Sequence, residues 1–192
     1  MLSGRADLRA LFASQVSAGL IAAAEAKATL RVMAPMVAVR AEVDDLLALV
    51  AAVRVDLAER GAAGNAAAAA AAMYPLRLGV MIEVPAAALT VATLARGLDF
   101  VSIGTNDLTQ YAMAADRVNS ALAPLQDATA PGVVALIAAI VAGAAEAGVE
   151  VGVCGELAGS AAGATLLTDL GIRELSMDPA VIDEVREALI GA

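Results

Sequence analysis

An α/β fold with a parallel sheet is predicted by two patterns. Short apolar runs alternate strictly with stretches of helical periodicity, in the order α-βα-βα-βα-βα-βα. The central runs also end on polar or acidic residues: Gly79-Val80-Met81-Ile82-Glu83 and Phe100-Val101-Ser102-Ile103-Gly104, the second followed by Thr105-Asn106-Asp107. Short apolar runs are the mark of strands buried on both faces of a parallel sheet, and strict alternation implies right-handed crossovers. Functional groups in such sheets gather at the carboxyl ends of the strands. Glu83 and Asp107 are therefore expected to look into one mouth. The five strands suit an open sheet and five-eighths of an eight-stranded barrel equally well.

The elements follow in order. Residues 5–26 read as an Ala-rich helix and 30–36 as a strand broken by Pro35. Residues 41–60 form the clearest amphipathic helix, with Val43, Leu46, Leu47, Val50, Val53 and Leu57 on one face and Gly61 as its stop. Residues 61–75 are low-complexity, a loop followed by a helical turn or two of alanines. A strand is expected at 78–84, a helix from Pro85 to Arg96 ended by Gly97, and a strand at 99–104. The next helix opens at Thr105 or Asn106 and runs to about 115, and an irregular loop covers 116–130. Pro131 opens a long helix stopped by Gly148, followed by a strand at 149–154, a loop at 155–160 and a helix at 161–170. The last strand is 172–177, and Asp178 caps a final helix that starts at Pro179 and closes near Gly191.

Composition narrows the function. The 192 residues suffice for one sizeable domain, and a hydrophobic fraction of 60% with only 2% aromatics suits close packing of helices on a sheet. A net charge of −9 with 12 Lys plus Arg argues against a nucleic-acid surface. No apolar stretch has the length and purity of a spanning helix, and Arg5, Asp7 and Arg9 argue against a signal peptide. The single Cys excludes an internal disulfide and fits a reducing, cytoplasmic compartment. With no His, proton chemistry falls to Cys, Glu, Asp, Lys, Tyr or a metal-bound water.

Four features carry chemistry, each with a plainer alternative. Glu83 and Asp107 could hold one hard divalent cation, or be solvated rim charges. Gly104-Thr105-Asn106 precedes a helix whose first N–H groups favour an anion, or simply cap it. Arg117 offers a fork to a phosphate, or pairs locally with Asp116. Cys154, followed by Gly155, is a reactive thiol or inert packing.

Six ordered motifs add a family. Arg31-Val32-Met33-Ala34-Pro35-Met36, Gly79-Val80-Met81-Ile82-Glu83-Val84-Pro85-Ala86-Ala87, Ser102-Ile103-Gly104-Thr105-Asn106-Asp107-Leu108-Thr109-Gln110-Tyr111, Asp116-Arg117, Cys154-Gly155-Glu156-Leu157-Ala158-Gly159 and Glu174-Leu175-Ser176-Met177 occur in that order. Together they resemble the phosphoenolpyruvate-binding domain of enzyme I of the sugar phosphotransferase system. Pyruvate phosphate dikinase and phosphoenolpyruvate synthase share a looser form. The resemblance covers about residues 5–190 and implies that residues 1–192 are a single phosphoenolpyruvate-binding domain. It implies a partial TIM (β/α)8 barrel, the last five of eight βα units, with the strand at Leu30 as the fourth and that at Ile172 as the eighth. It makes Glu83 and Asp107 ligands of Mg²⁺ (or Mn²⁺), and Gly104, Thr105, Asn106, Asp107 and Arg117 the substrate contacts. Cys154 becomes the acid that protonates carbon 3 of enolpyruvate, with Glu156 a structural partner at its loop. The implied reaction transfers phosphate from phosphoenolpyruvate to a His on a phosphocarrier domain and releases pyruvate, in a cytoplasmic homodimer. Three departures bear on loop packing: Ala34 where the family has Phe, Ser160 where it often has Asp, and Pro124 and Ala130 in a loop that often carries His. A dikinase or synthase fragment, or a non-catalytic binding or dimerisation module, are the competing readings.

Overall fold

A computed structural model describes residues 6–191. Its strands form one five-stranded sheet, β1 (Leu30–Ala34), β2 (Leu76–Ile82), β3 (Phe100–Gly104), β4 (Glu150–Cys154) and β5 (Glu174–Ser176), in the spatial order β1-β2-β3-β4-β5. The β3–β4 and β4–β5 pairs are parallel, with Gly104 opposite Cys154 and Cys154 opposite Ser176. Sequential order with helices between the strands is what the partial-barrel expectation requires. By contact clustering the chain forms two compact units, the first running through β1 and on to Gly79, the second holding Pro35–Val39 and the chain from Val80 onward.

In the first unit, α1 (Ala6–Ala26) follows the expected helix, whose first residue, Arg5, lies outside the described residues. The helix α2 (Arg40–Ala62) buries Val43, Leu46, Val50, Val53 and Leu57, but Gly61 does not end it. A Cβ at Gly61 would sit 2.7 Å from the Ala69 Cα, so Gly61 permits close approach of the alanine helix α3 (Ala66–Ala72). The low-complexity stretch is thus ordered. Asn65 caps α3 by accepting the Ala68 N–H at 3.0 Å, and Ala68 and Ala71 are fully buried. Arg54 donates to the carbonyls of Ala72 and Tyr74 at 2.8 and 3.0 Å, tying down the end of that helix.

In the second unit, the expected helix from Pro85 to Arg96 is two pieces, α4 (Pro85–Ala88) and α5 (Val91–Leu94). At the break the Thr90 hydroxyl donates back to the Ala86 carbonyl at 3.0 Å, the local bonding by which Thr competes with the helical ladder. The helices α6 (Thr105–Ala112), α7 (Pro131–Ala147), α8 (Ala161–Asp169) and α9 (Ile182–Ile190) fall close to the sequence expectation. Gly148 stops α7 in the left-handed conformation, φ 71°. Ser160 accepts the Gly163 N–H at 3.1 Å, so it caps α8 as an Asp there would. Pro124 lies in a 3₁₀ turn, Ser120–Leu125, within the 116–130 loop, and Ala130 precedes α7 without a side-chain cap.

Strand parity sorts the second unit's sheet into two unlike faces. One carries Val80, Ile82, Val101, Ile103 and Val153, all at 1% exposure or less, and α7 packs on β3 and β4. The other carries Met81, Ser102, Gly104, Gly152, Cys154 and Ser176; it is buried at the two glycines and part-buried or exposed at the other four. Burial on both faces, expected from the apolar runs, therefore reaches Gly152 and Val153 in β4 but not β5. Among the described residues no helix is long and apolar enough to cross a membrane.

Candidate active site

The half-open face converges on three strand ends. Glu83 follows β2, Gly104 ends β3 and Cys154 ends β4. A Cβ at Gly104 would meet Glu83 Oε2 at 2.8 Å and Met81 Sδ at 2.9 Å, so only glycine lets the Glu83 carboxylate lie against the end of β3. On its other side Gly104 is in register with Cys154.

Glu83 is 2% exposed, and its Oε1 accepts the Met36 N–H at 2.6 Å. Met36 follows Pro35 in a left-handed conformation, φ 57°, a backbone contact that the side chains of the sequence do not announce. Burial raises the Glu83 carboxyl above its ordinary range, the Met36 N–H pulls it back, and the Asp107 carboxyl, in hydrogen-bond contact with Glu83, raises it again. Among the described residues no group of three His, Cys, Asp or Glu could hold a metal. Two carboxylates are nevertheless a donor set of the kind Mg²⁺ takes, since it keeps few protein ligands and completes its shell with other oxygens.

This arrangement sets a pH dependence for the metal-free protein. A carboxyl raised in the folded state contributes stability in full below its unfolded pKa and loses it as pH rises through the folded one. Thermal melts in chelator should therefore show wild type losing stability, relative to Glu83→Gln, between the ordinary Glu range and neutral pH. Parallel melting curves for the two proteins across that window would contradict the assignment.

Asp107 lies in the first turn of α6, whose N-terminus has no side-chain cap. The first N–H groups of a helix have no intrahelical partner, so Gly104-Thr105-Asn106 presents donors to an anion. Thr105 is fully buried, and its hydroxyl donates to the Cys154 carbonyl at 3.4 Å. Asn106 Oδ1 accepts the Glu156 N–H at 3.1 Å, so Asn106 braces the turn after Cys154. The exposed Glu156 joins that turn through its backbone.

Arg117 does not pair with Asp116. Its Nη2 lies 3.5 Å from Asp107 Oδ1, its backbone N–H donates to Gln110 Oε1 at 2.9 Å, and Asp116 Oδ1 instead accepts the Val118 N–H at 3.0 Å. Gln126 Nε2 donates to the Asp116 carbonyl at 2.8 Å and completes the loop. Gln110 and Gln126 were not among the sequence candidates. A cavity of about 180 Å³ is lined by Asn106, Gln110, Arg117, Gln126 and Glu156. A shallower one of about 520 Å³, lined by Asn106, Gly155, Glu156, Ser176 and Asp178, adjoins the same turn. Glu83, Asp107 and Cys154 line neither of them.

Cys154 is half-buried. Its thiol donates to the Ile103 carbonyl at 3.7 Å and accepts from the Ser102 hydroxyl at 3.6 Å. Gly155 has φ 132°, and a Cβ there would collide with Thr105 Oγ1 and approach Asn106 Oδ1 to 3.0 Å. Because Thr105 is enclosed and cannot yield, Gly155→Ala should cost about 1–3 kcal/mol in urea unfolding. A loss under about 0.5 kcal/mol would show that the turn is not under this constraint.

Carboxylates, a guanidinium, a helix N-terminus and a thiol stand at or beside the carboxyl ends of neighbouring parallel strands in an α/β protein. The profile of the family described as PEP-utilising enzyme, PEP-binding domain, matches residues 4–192, and the chain belongs to that family. It is 40% identical over 169 residues to phosphoenolpyruvate-protein phosphotransferase of Cupriavidus necator, which covers 88% of this chain and 28% of that protein. It is 41% identical over 172 residues to the multiphosphoryl transfer protein of Rhodobacter capsulatus, covering 89% of this chain and 19% of that protein. The chain thus spans under a third of the length of these relatives. Among solved structures, a citrate lyase from Burkholderia xenovorans LB400 matches with a TM-score of 0.66 at 21% identity, over 96% of this chain and 54% of that one, which shows a shared fold.

Proposed function

We propose that the chain supplies the phosphoenolpyruvate site of a phosphoenolpyruvate-protein phosphotransferase, as part of one (β/α)8 barrel domain in a cytoplasmic protein. The observation that carries the reading is the alignment of Glu83, Gly104 and Cys154 across three neighbouring strand ends, with Asp107 touching Glu83. The family match over residues 4–192 supports treating both compact units as one domain.

In this reading Glu83 and Asp107 hold Mg²⁺ or Mn²⁺, Gly104, Thr105 and Asn106 offer N–H groups to phosphate, and Arg117 turns its fork from Asp107 to the same phosphate. The cation supplies charge neutralisation to the transferring phosphoryl group. The phosphate passes to a His on a phosphocarrier domain, and Cys154 gives its proton to carbon 3 of the enolate, yielding pyruvate. The test is a chimera in which this chain replaces the matched segment of the Cupriavidus necator relative. Pyruvate release that is lost on Cys154→Ala supports the proposal. A folded chimera that releases none, or one indifferent to Cys154→Ala, overturns it.

The same reading includes a homodimer. The strands β1 and β5 end the sheet order, and exposed edges invite pairing. Sedimentation should show dimers at tens of micromolar, on the order of common weak-dimer constants; a pure monomer there contradicts this part.

A further inference from the structure

We infer that Ser102 is the positioning residue of the Cys154 thiol, holding its sulfur and stabilising the thiolate that proton transfer leaves behind. The inference rests on the reading of Cys154 as the acid above. On the paired strands β3 and β4, Ser102 is opposite Gly152 and Gly104 is opposite Cys154, so Ser102 and Cys154 share one sheet face two residues out of register. Glycine at 152 opposite Ser102 and at 104 opposite Cys154 leaves both directly facing positions without a side chain, and the hydroxyl and thiol meet on the diagonal between them. The Ser102 hydroxyl donates to Sγ at 3.6 Å while the thiol donates to the Ile103 carbonyl at 3.7 Å. The thiol is thus held from both sides, as acceptor and as donor.

The two contacts behave differently when the proton leaves. Cys154 breaks its S–H bond, the enolate π pair forms the new C–H bond at carbon 3, and sulfur keeps the S–H pair as thiolate. The contact to the Ile103 carbonyl then has no hydrogen left to share. The Ser102 O–H still faces sulfur, and a donor to an anion is stronger than one to a neutral thiol. The thiolate afterwards retakes a proton from water. Ser102 therefore lowers the cost of the state that follows proton transfer, without touching the substrate.

The chain has one Cys, so thiol readouts report Cys154 alone. Two are made on the wild type, Ser102→Ala and Ser102→Thr: the iodoacetamide alkylation rate at neutral pH, and the infrared S–H stretch. Loss of the donor leaves the charged sulfur without its hydrogen bond and should slow alkylation about two- to fourfold in Ser102→Ala. The S–H band should move to higher wavenumber, because a sulfur that no longer accepts donates less strongly. Ser102→Thr keeps a hydroxyl and should restore both. Unchanged rate and band in Ser102→Ala overturn the inference, as does a Thr variant that behaves like Ala, which would assign the effect to packing. Neither readout uses phosphoenolpyruvate, so their failure is separable from failure of the chimera.

Discussion

A polypeptide of these 192 residues should release no measurable pyruvate from phosphoenolpyruvate and Mg²⁺, even when a phosphorylatable His domain is added in trans. The residues contain no His, so no acceptor for the phosphoryl group is present. Arg117 lies next to the acid pair, and it is half committed to Asp107 at 3.5 Å. The resemblance implies that these residues are five of eight βα units, and two further phosphate contacts are taken to come from the other three. Losing one preorganised contact to a group that gains charge in the transition state costs about 10²–10³ in rate, or about 3–4 kcal/mol. Losing two such contacts therefore costs about 10⁴–10⁶ before the acceptor is considered. Coupling pyruvate formation to NADH oxidation gives the assay. Steady turnover that vanishes in Cys154→Ala would mean that the additional strands are dispensable, and the phosphate clamp inferred here would be wrong.

A second large effect is expected at the acid pair. Divalent cation at a hundred times its dissociation constant stabilises a binding protein by about 2.7 kcal/mol. For a chain of this size that corresponds to a rise of about 5–10 °C in Tm. Glu83→Ala with Asp107→Ala should abolish the rise and the paramagnetic signal of bound Mn²⁺. Loss of either ligand alone should weaken binding at least about 100-fold, since even groups that only orient a ligand account for 10–100-fold. Undiminished Mn²⁺ binding by the double variant would place the cation elsewhere.

These expectations draw on features of unequal visibility in the sequence. The helix limits at Pro131 and Gly148 are legible because the fixed φ of proline suits a helix start and glycine takes the left-handed stop without penalty. Gly61 is misleading for the opposite reason: a glycine permits a stop and equally permits a neighbour, and the neighbour, the alanine helix, has no periodic signature of its own. The interruption at Leu89 and Thr90 depends on one hydroxyl turning back on the backbone, which no pattern of apolar residues reveals.

At the site, the strand-end rule leads from sequence alone to the expectation that Glu83 and Asp107 share one mouth, and in the structure Asp107 is one of the groups that raise the Glu83 carboxyl. The partner of Arg117 was not legible. Adjacency suggests Asp116, but the loop is set by Gln110 and Gln126, and it delivers the guanidinium to Asp107 instead. The Met36 N–H that binds Glu83 is equally hidden, since it depends on a left-handed residue after Pro35. Ser102 could have been found. It shares strand parity with Gly104, and placing Gly104 beside Cys154 puts its hydroxyl near the thiol.

The most direct test of a joint metal and phosphoenolpyruvate site is the ³¹P relaxation of phosphoenolpyruvate in the presence of Mn²⁺ and the protein. If Glu83 and Asp107 hold the cation beside the Gly104-Thr105-Asn106 turn, wild type should accelerate ³¹P relaxation well beyond Mn²⁺ and phosphoenolpyruvate in buffer, and Asp107→Asn should remove the excess. No excess in wild type, or an excess that survives Asp107→Asn undiminished, would contradict it.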